Sequence, residues 1–222
     1  MKKSQQRLKT HRALMVSAIR LMSDDRSFSS ISLREVTREA GVVPATFYRH
    51  FNEMEDLAVE LVDYCMRPME NLMTSVRARR LNARQLVYET VSSFLRFARR
   101  HRRYSLFLTK ERLGGRARVR ERIRLSMNNM ALMLAHDLKG LPEWRGVPNT
   151  VVQDVARMII NQMLVELELV LDLQPSEDLG KDKKEIKIIA GARKRIWILL
   201  NGGLSFRERR LKKARLRQRT NA

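Results

Sequence analysis

Apolar residues recur at helical spacing along most of the chain, whereas the alternation typical of strands is scarce. Near the N-terminus, four apolar residues stand at positions i, i+3, i+4 and i+7 and form one stripe of a helix over about 4–23: Met15, Ala18, Ile19 and Met22. The same period predicts a helix from residue 53 onward and others over about 83–101, 104–113, 119–138, 150–173 and 183–207. With two shorter helices described next, the predicted fold class is all-α, with about nine helices.

Two short helices are predicted between the first helix and residue 53. Ser32 followed by Glu35 forms a capping box, which starts a helix that runs to about Ala40. Gly41 ends this helix, and Pro44 suits the first turn of the next one, which runs to about Phe51, because proline has no N–H to leave unbonded there. Two short helices joined by a tight glycine turn indicate a helix-turn-helix.

The second of these helices carries side chains suited to DNA. Val36, Ala40, Val42, Phe47 and Phe51 are available for the inner face of the motif, which leaves Thr46, Tyr48, Arg49 and His50 outward. Arg49 can approach guanine edges or phosphates, and Thr46 offers a hydroxyl or a methyl group. Tyr48 and His50 can donate hydrogen bonds to phosphate oxygens.

This segment resembles the DNA-binding domain of the TetR family of bacterial transcriptional repressors. The resemblance covers about residues 5–60 and lies in seven positions that follow a single N-terminal helix: Gly41, Val42, Thr46, Phe47, Tyr48, His50 and Phe51. Within the family, the runs at 32–36 and 47–51 are most similar to repressors of unsaturated fatty acid synthesis. The resemblance implies a homodimeric repressor that occupies a palindromic operator and responds to a ligand.

The family pattern also implies which residues contact DNA. It places Arg34 near a base edge, Pro44, Ala45 and Thr46 at the floor of the groove, and Tyr48 and His50 on phosphates, so that the predicted DNA-binding set is Ser32, Arg34, Pro44, Ala45, Thr46, Tyr48, Arg49 and His50. Two departures remove expected phosphate contacts, namely Val43 where a hydroxyl is common and the acidic run 52–55 where a lysine is common. The basic N-terminal arm, with Lys2, Lys3, Arg7 and Lys9, is a candidate replacement.

Charge agrees with a polyanionic partner but does not locate it. The formal net charge is +21, and the Arg-rich block 96–124 holds twelve basic residues against two acidic ones. This block could neutralise the phosphates of an acyl coenzyme A or the acidic face of an acyl carrier protein. It could equally be a solubilising face that adds non-specific attraction to DNA.

Three regions are predicted: a helix-turn-helix domain over 1–52, an effector-binding and dimerisation domain over 53–206, and a basic tail over 207–222 that is disordered or forms a frayed helix end. Flexible methionines on shared helix faces suit a cavity for an adaptable apolar guest, although they would fill an ordinary core equally well. Similarity to lipid-responsive repressors favours a long-chain acyl thioester, for which the candidate pocket residues are Met66, Met69, Met73, Phe107, Arg112, Met127, Met130 and Met163.

The family pattern places dimerisation on the last two helices, about 150–173 and 183–207. Eight apolar positions there suit a self-complementary four-helix bundle, whereas a monomer would bury them internally. They are Val155, Ile159, Met163, Val170, Ile189, Ile196, Trp197 and Leu200.

Other function classes find little support in the residues. The chain has no G-x-S-x-G, P-loop, G-x-G-x-x-G or H-E-x-x-H motif, its four histidines lack metal-ligand spacing, and we expect neither catalysis nor a cofactor. Its lone Cys65 fits a reducing cytoplasm, and no apolar run is long enough to span a membrane. The remaining alternative is a basic nucleic-acid-binding protein that reads no sequence.

Overall fold

The computed structural model describes residues 2–79, 81–173 and 182–220, with the side chains of 4–79, 81–82, 84–173 and 182–207. These residues form nine α-helices and no strand, which confirms the all-α prediction. The helices are α1 (Lys2–Leu21), α2 (Leu33–Glu39), α3 (Pro44–Phe47), α4 (Met54–Arg77), α5 (Ala83–Arg100), α6 (Arg102–Gly114), α7 (Ala117–Gly140), α8 (Asn149–Leu171) and α9 (Lys183–Thr220). Single 3-10 turns lie at Phe28–Ser30 and Pro142–Trp144.

The chain divides into two compact units. These units are defined by contacts within the fold, whereas the three predicted regions are defined by function. The first unit extends to Glu70 and includes Phe97–Ser126, and the second consists of Asn71–Arg96 and the chain from Met127 onward. The predicted boundaries at residues 52 and 207 concern DNA binding and disorder, so they stay predictions. In the backbone α9 continues to Thr220, beyond the end predicted at 207.

The helix-turn-helix begins and ends as the sequence predicts. Ser32 Oγ accepts a hydrogen bond from the Glu35 backbone N–H, and the Glu35 carboxylate accepts one from the Ser32 backbone N–H at 2.9 Å, which completes the capping box. These bonds, foremost the one from the Ser32 backbone, and the Arg26 guanidinium lower the pKa of Glu35 to about 2. The carboxylate therefore stays ionised well below neutral pH.

A left-handed glycine forms the turn between α2 and α3. Gly41 has φ +68°, its N–H donates to the Arg38 carbonyl, and the Val42 N–H donates to the Thr37 carbonyl. This pair of bonds is the Schellman arrangement, which satisfies the last carbonyl groups of a helix. The chain can therefore reverse direction within three residues of α2.

Helix α3 is shorter than the predicted 44–51. After Phe47 the backbone forms turns, with the N–H of Arg49 bonded to the Thr46 carbonyl and that of His50 to the Phe47 carbonyl. Phe47 is completely buried, and Phe51 is 3% exposed. They belong to the core of the first unit with Leu14, Ala18, Ile19 and Val36, which is the face the sequence predicts.

Helix α6 fixes the loop that joins α1 to α2. Arg102 Nη2 donates to Asp24 Oδ1 at 2.7 Å, and Lys110 Nζ donates to the Ser23 carbonyl at 3.2 Å. The buried carboxylate of Glu111 accepts hydrogen bonds from the backbone N–H groups of Phe28 and Ser29. Burial nonetheless raises the pKa of Glu111. The segment that precedes the helix-turn-helix is thus held from outside the motif.

In the second unit, α8 and α9 pack closely along their length. The Glu166 carboxylate is fully buried and accepts two hydrogen bonds from Arg195, at 2.6 and 2.7 Å, and one from Gln162 at 2.6 Å. A side chain at Gly203 would meet Trp144 at 2.7 Å and Val155 at 2.8 Å, so that only glycine fits between them. A buried charged contact and a close backbone approach both hold this helix pair.

We predict that Gly41→Ala lowers the free energy of unfolding by about 1 kcal/mol, because an L-residue is disfavoured in the left-handed region. Gly140→Ala is the matched control, since Gly140 ends α7 with no positive φ and an added methyl group there would meet nothing within 4 Å. Alanine at this position should leave stability unchanged or raise it. Denaturant unfolding at one protein concentration measures both, and equal effects would contradict the role given to Gly41.

Candidate nucleic-acid interface

The turn-helix segment presents its predicted recognition residues to solvent. Tyr48 is 62% exposed, Arg49 and Ala45 are exposed, and Thr46 is half-buried beside the anchored Phe47. Tyr48 packs edge-on against Phe47, with ring centroids 5.8 Å apart. The hydroxyl and guanidinium groups that could bind DNA therefore stand on one fixed outer face.

The sequence places Ser32 both in the capping box and in the predicted DNA-binding set. In the structure its hydroxyl group bonds within the cap. Besides accepting from the Glu35 N–H, the Ser32 hydroxyl donates to the Glu35 carboxylate at 2.9 Å. Arg34, the second residue of α2, is exposed, as are Pro44 and Val43. Arg34 and Pro44 are thus available to a partner, while the Ser32 hydroxyl already bonds within the cap.

His50 lies against α1 rather than standing free. Its ring centroid is 5.6 Å from that of His11, and His11 stacks on Phe51 at 4.8 Å. Burial, followed by the charges of His11, Arg7 and Arg49, lowers the pKa of His50 below its usual 6.5. At neutral pH the neutral imidazole therefore predominates, and it can still donate one hydrogen bond.

The acidic start of α4 is neutralised within the first unit. Arg118 donates to Glu53 at 3.1 Å and to Asp56 at 2.8 Å, and Arg116 lies within 4.0 Å of Glu53 and Glu55. The hydrogen bond from Arg118 is the main reason that the pKa of Asp56 is lowered. The acidic run that replaces a common lysine is therefore part of an ion-pair cluster with α7.

Much of the Arg-rich block is engaged in such contacts. Arg122 bonds to Asp63 at 2.7 Å, Arg120 to the Gly115 carbonyl and Arg124 to Glu121. Arg102 and Lys110 of α6 bond to the loop before α2, and Arg116 and Arg118 contact the acidic start of α4. With Arg120, Arg122 and Arg124, seven of the block's twelve basic residues make such contacts. Four of these residues bond to the loop before α2 or to α4 and its start, which the net charge of the block does not reveal.

The candidate effector residues are divided between the two units. Met66, Met69 and Phe107 are buried and Arg112 is half-buried in the first unit, where Phe107 packs edge-on against Phe28. In the second unit Met73 and Met163 are buried, while Met127 and Met130 are half-buried. Burial of this kind fits a core as well as a ligand site, so the effector pocket stays a prediction.

The predicted dimer residues mostly lie on the wrong face. Of the eight apolar positions proposed for α8 and α9, seven are buried inside the protomer and only Trp197 is exposed, at 40%. A different stripe is exposed on α8, formed by Met158, Val165 and Leu169, and Ile186 accompanies Trp197 on α9. Both helices are apolar on two faces, so periodicity alone could not distinguish the inner face from the outer one.

Residues 14–61 match the family model described as bacterial regulatory proteins, tetR family. The match includes the core of α1, the whole helix-turn-helix and the acidic start of α4. It therefore confirms the resemblance in the segment where the sequence placed it.

Solved structures resemble the chain over nearly its whole length. A TetR-like transcriptional regulator from Rhodococcus sp. shares 15% identity at a TM-score of 0.66, covering 87% of this chain and 96% of the other. FadR from Bacillus subtilis, solved with stearoyl-CoA, shares 14% at 0.63, covering 86% and 98%. AibR, solved with isovaleryl coenzyme A and operator DNA, shares 17% at 0.63, covering 83% and 96%. At these identities the likeness shows the fold alone.

Residues 14–61 thus carry a helix-turn-helix that matches the tetR family model, and the chain as a whole has the fold of the solved regulators. Among the described residues, no helix combines the length and apolarity that a membrane span requires.

Proposed function

We propose that the protein is a sequence-specific transcriptional repressor that binds a palindromic operator as a homodimer in the cytoplasm. The observation that carries this proposal is the exposure of Tyr48 and Arg49, which follow α3 in a turn anchored by the buried Phe47, beside the half-buried Thr46 of α3. A capped, rigid motif can place base-reading groups in a major groove, whereas a solvated charge run cannot.

A homodimer is supported by the exposed stripe of the second unit. Met158, Val165 and Leu169 lie within one face of α8 because they are seven and four residues apart, and each is about half exposed. Ile186 and Trp197 form a similar stripe on α9, eleven residues apart. A second copy that packs its own stripe here would bury both surfaces in an isologous interface.

The proposed effector is an apolar ligand with an acyl thioester group, as in repressors of lipid metabolism. Two structural neighbours, FadR and AibR, were solved with acyl coenzyme A molecules. Met73 and Met163 of the second unit are buried, and flexible side chains of this kind suit an acyl tail. A ligand changes operator occupancy only if it binds the DNA-competent and incompetent states with different affinity.

The operator claim is tested with a duplex selected by the full-length protein from a random pool, and with its scrambled counterpart. We expect binding that favours the selected duplex at two salt concentrations, because base contacts add to the phosphate term. Arg49→Ala should reduce specific binding by about 1–3 kcal/mol and non-specific binding far less. Arg145→Ala, an exposed arginine in the second unit, is the charge-matched control.

Equal affinity for the selected and scrambled duplexes would instead indicate a basic, non-specific nucleic-acid-binding protein. Under that alternative, Arg49→Ala would weaken both complexes to the same extent. Five arginines of the block already lie within 4.0 Å of carboxylates, which reduces the charge that the block presents to a nucleic acid.

We predict that Val165→Glu shifts the protein from dimer to monomer, because the substitution introduces two carboxylates into an isologous interface. Leu113→Glu is the control, since Leu113 on α6 is 73% exposed and lies in the first unit. Sedimentation equilibrium should show at least a tenfold rise in the dimer dissociation constant for Val165→Glu alone. A monomeric wild-type protein would contradict the proposed dimer.

The ligand claim is tested by adding saturated and unsaturated long-chain acyl coenzyme A to the complex with the selected duplex. We expect at least one of them to change operator affinity fivefold or more, which corresponds to a coupling of about 1 kcal/mol. Free coenzyme A is the control for the phosphates of the head group. If no acyl thioester acts and another apolar compound does, the lipid assignment fails while the repressor assignment stands.

A further inference from the structure

The basic tail, residues 207–222, carries a dense run of positive charge. It holds eight basic residues against one acidic residue, Glu208. The basic residues are Arg207, Arg209, Arg210, Lys212, Lys213, Arg215, Arg217 and Arg219. In the Arg-rich block 96–124, carboxylates from other helices pair with several arginines, whereas the sequence of the tail supplies a single carboxylate of its own. The tail therefore has an excess of charge that calls for an anionic partner.

The tail continues a helix that the second unit holds in place. A side chain at Gly203 would meet Trp144 at 2.7 Å and Val155 at 2.8 Å, so α9 lies tightly against both residues. One turn later, Arg207 Nη1 donates to the Glu143 carbonyl at 3.1 Å. The backbone of α9 then continues without a break to Thr220. The tail is thus an extension of an anchored helix.

The spacing of charge along this extension suits duplex DNA. A helix rises about 1.5 Å per residue, so residues 207–219 extend over roughly 20 Å. Eight basic residues within that length approach the charge density of duplex DNA, which carries one phosphate charge per about 1.7 Å. Like charges four residues apart, such as Arg209 and Lys213, disfavour a helix on its own. A partner with a similar density of negative charge removes this repulsion.

The few apolar positions of the tail do not suit a lipid surface. Between residues 207 and 220 they are Leu211, Ala214 and Leu216. Leu211 and Leu216 are five residues apart, which places the two positions on different sides of a helix. A helix that lies in a membrane surface needs a continuous apolar face. The pattern therefore favours ionic contact with phosphates over insertion among lipids.

We propose that the basic tail is a second DNA-binding element, which holds the phosphate backbone of duplex DNA whatever its sequence. The helix-turn-helix distinguishes one duplex from another, and the tail adds affinity for all of them equally. This element goes beyond the proposed function and does not depend on it, because phosphate contacts require no base reading.

The test uses a full-length variant in which glutamine replaces the seven basic residues after Arg207. Arg207 is kept because it bonds to the Glu143 carbonyl, and glutamine is a good helix former. The substitutions are Arg209→Gln, Arg210→Gln, Lys212→Gln, Lys213→Gln, Arg215→Gln, Arg217→Gln and Arg219→Gln. Affinity for the scrambled duplex should fall at least tenfold at about 0.1 M salt. The slope of log affinity against log salt should fall by about three per subunit, as expected if about half of these side chains each contact one phosphate.

Two further variants separate charge from other effects of the substitutions. A tail with the same residues in shuffled order keeps the charge and should bind both duplexes as the wild-type protein does. Arg215→Gln, Arg217→Gln and Arg219→Gln together should give less than half of the change in salt slope. This smaller variant keeps the test valid if the variant with seven substitutions is unstable. Circular dichroism and sedimentation equilibrium compare the folding and the oligomeric state of all variants.

The outcomes distinguish the tail from the proposed function. If the substitutions leave the affinity for the scrambled duplex and the salt slope unchanged, the proposal is wrong. It is also wrong if they weaken only the selected duplex, or if they abolish binding to vesicles of phosphatidylglycerol and phosphatidylcholine but not to DNA. If no duplex is preferred and the tail still contributes to binding, the repressor assignment fails and the tail proposal stands.

Discussion

The burial of Phe47 is the constraint on which the candidate interface depends. Helix α3 is only four residues long, and an isolated helix of one turn is not stable in water. Phe47 is fully buried and Phe51 nearly so, and they hold this turn against the core formed by α1 and α2. Because the rings of Phe47 and Phe51 point inward, Tyr48 and Arg49, which lie between them in the sequence, are left exposed.

Charge in this protein has two roles that the net value does not separate. The arginines of α7 bond to Glu53, Asp56 and Asp63 and so hold the start of α4 directly after the recognition segment. Arg49, by contrast, is exposed in the predicted recognition segment. The 45 lysines and arginines therefore include several that are already paired with carboxylates and are less available to a polyanion.

Local features of the motif could be predicted from the sequence because each depends on neighbouring residues. The capping box needs Ser32 and Glu35, the turn needs Gly41, and the inner face follows the spacing of Val36 and Phe47. All three are confirmed. The early end of α3 could not be predicted in the same way, because its backbone changes to turns while its side-chain pattern still suits a helix.

Contacts between residues that are far apart in the sequence could not be predicted from local patterns. Arg118 and Asp56 are 62 residues apart, and nothing in either segment indicates the other as its partner. The same limit applies to the two apolar faces of α8 and α9, since only packing decides which face a protomer buries. It applies also to the contact between the rings of His11 and His50, which lie 39 residues apart in the sequence.

The most direct test of the central claim is a hydroxyl-radical footprint of the full-length protein on its selected duplex. Two copies that each insert α3 into a major groove should protect two half-sites related by a two-fold axis, with centres separated by about one helical turn or a multiple of it. A single protected half-site, or uniform protection without symmetry, would contradict a dimer that reads DNA through α3.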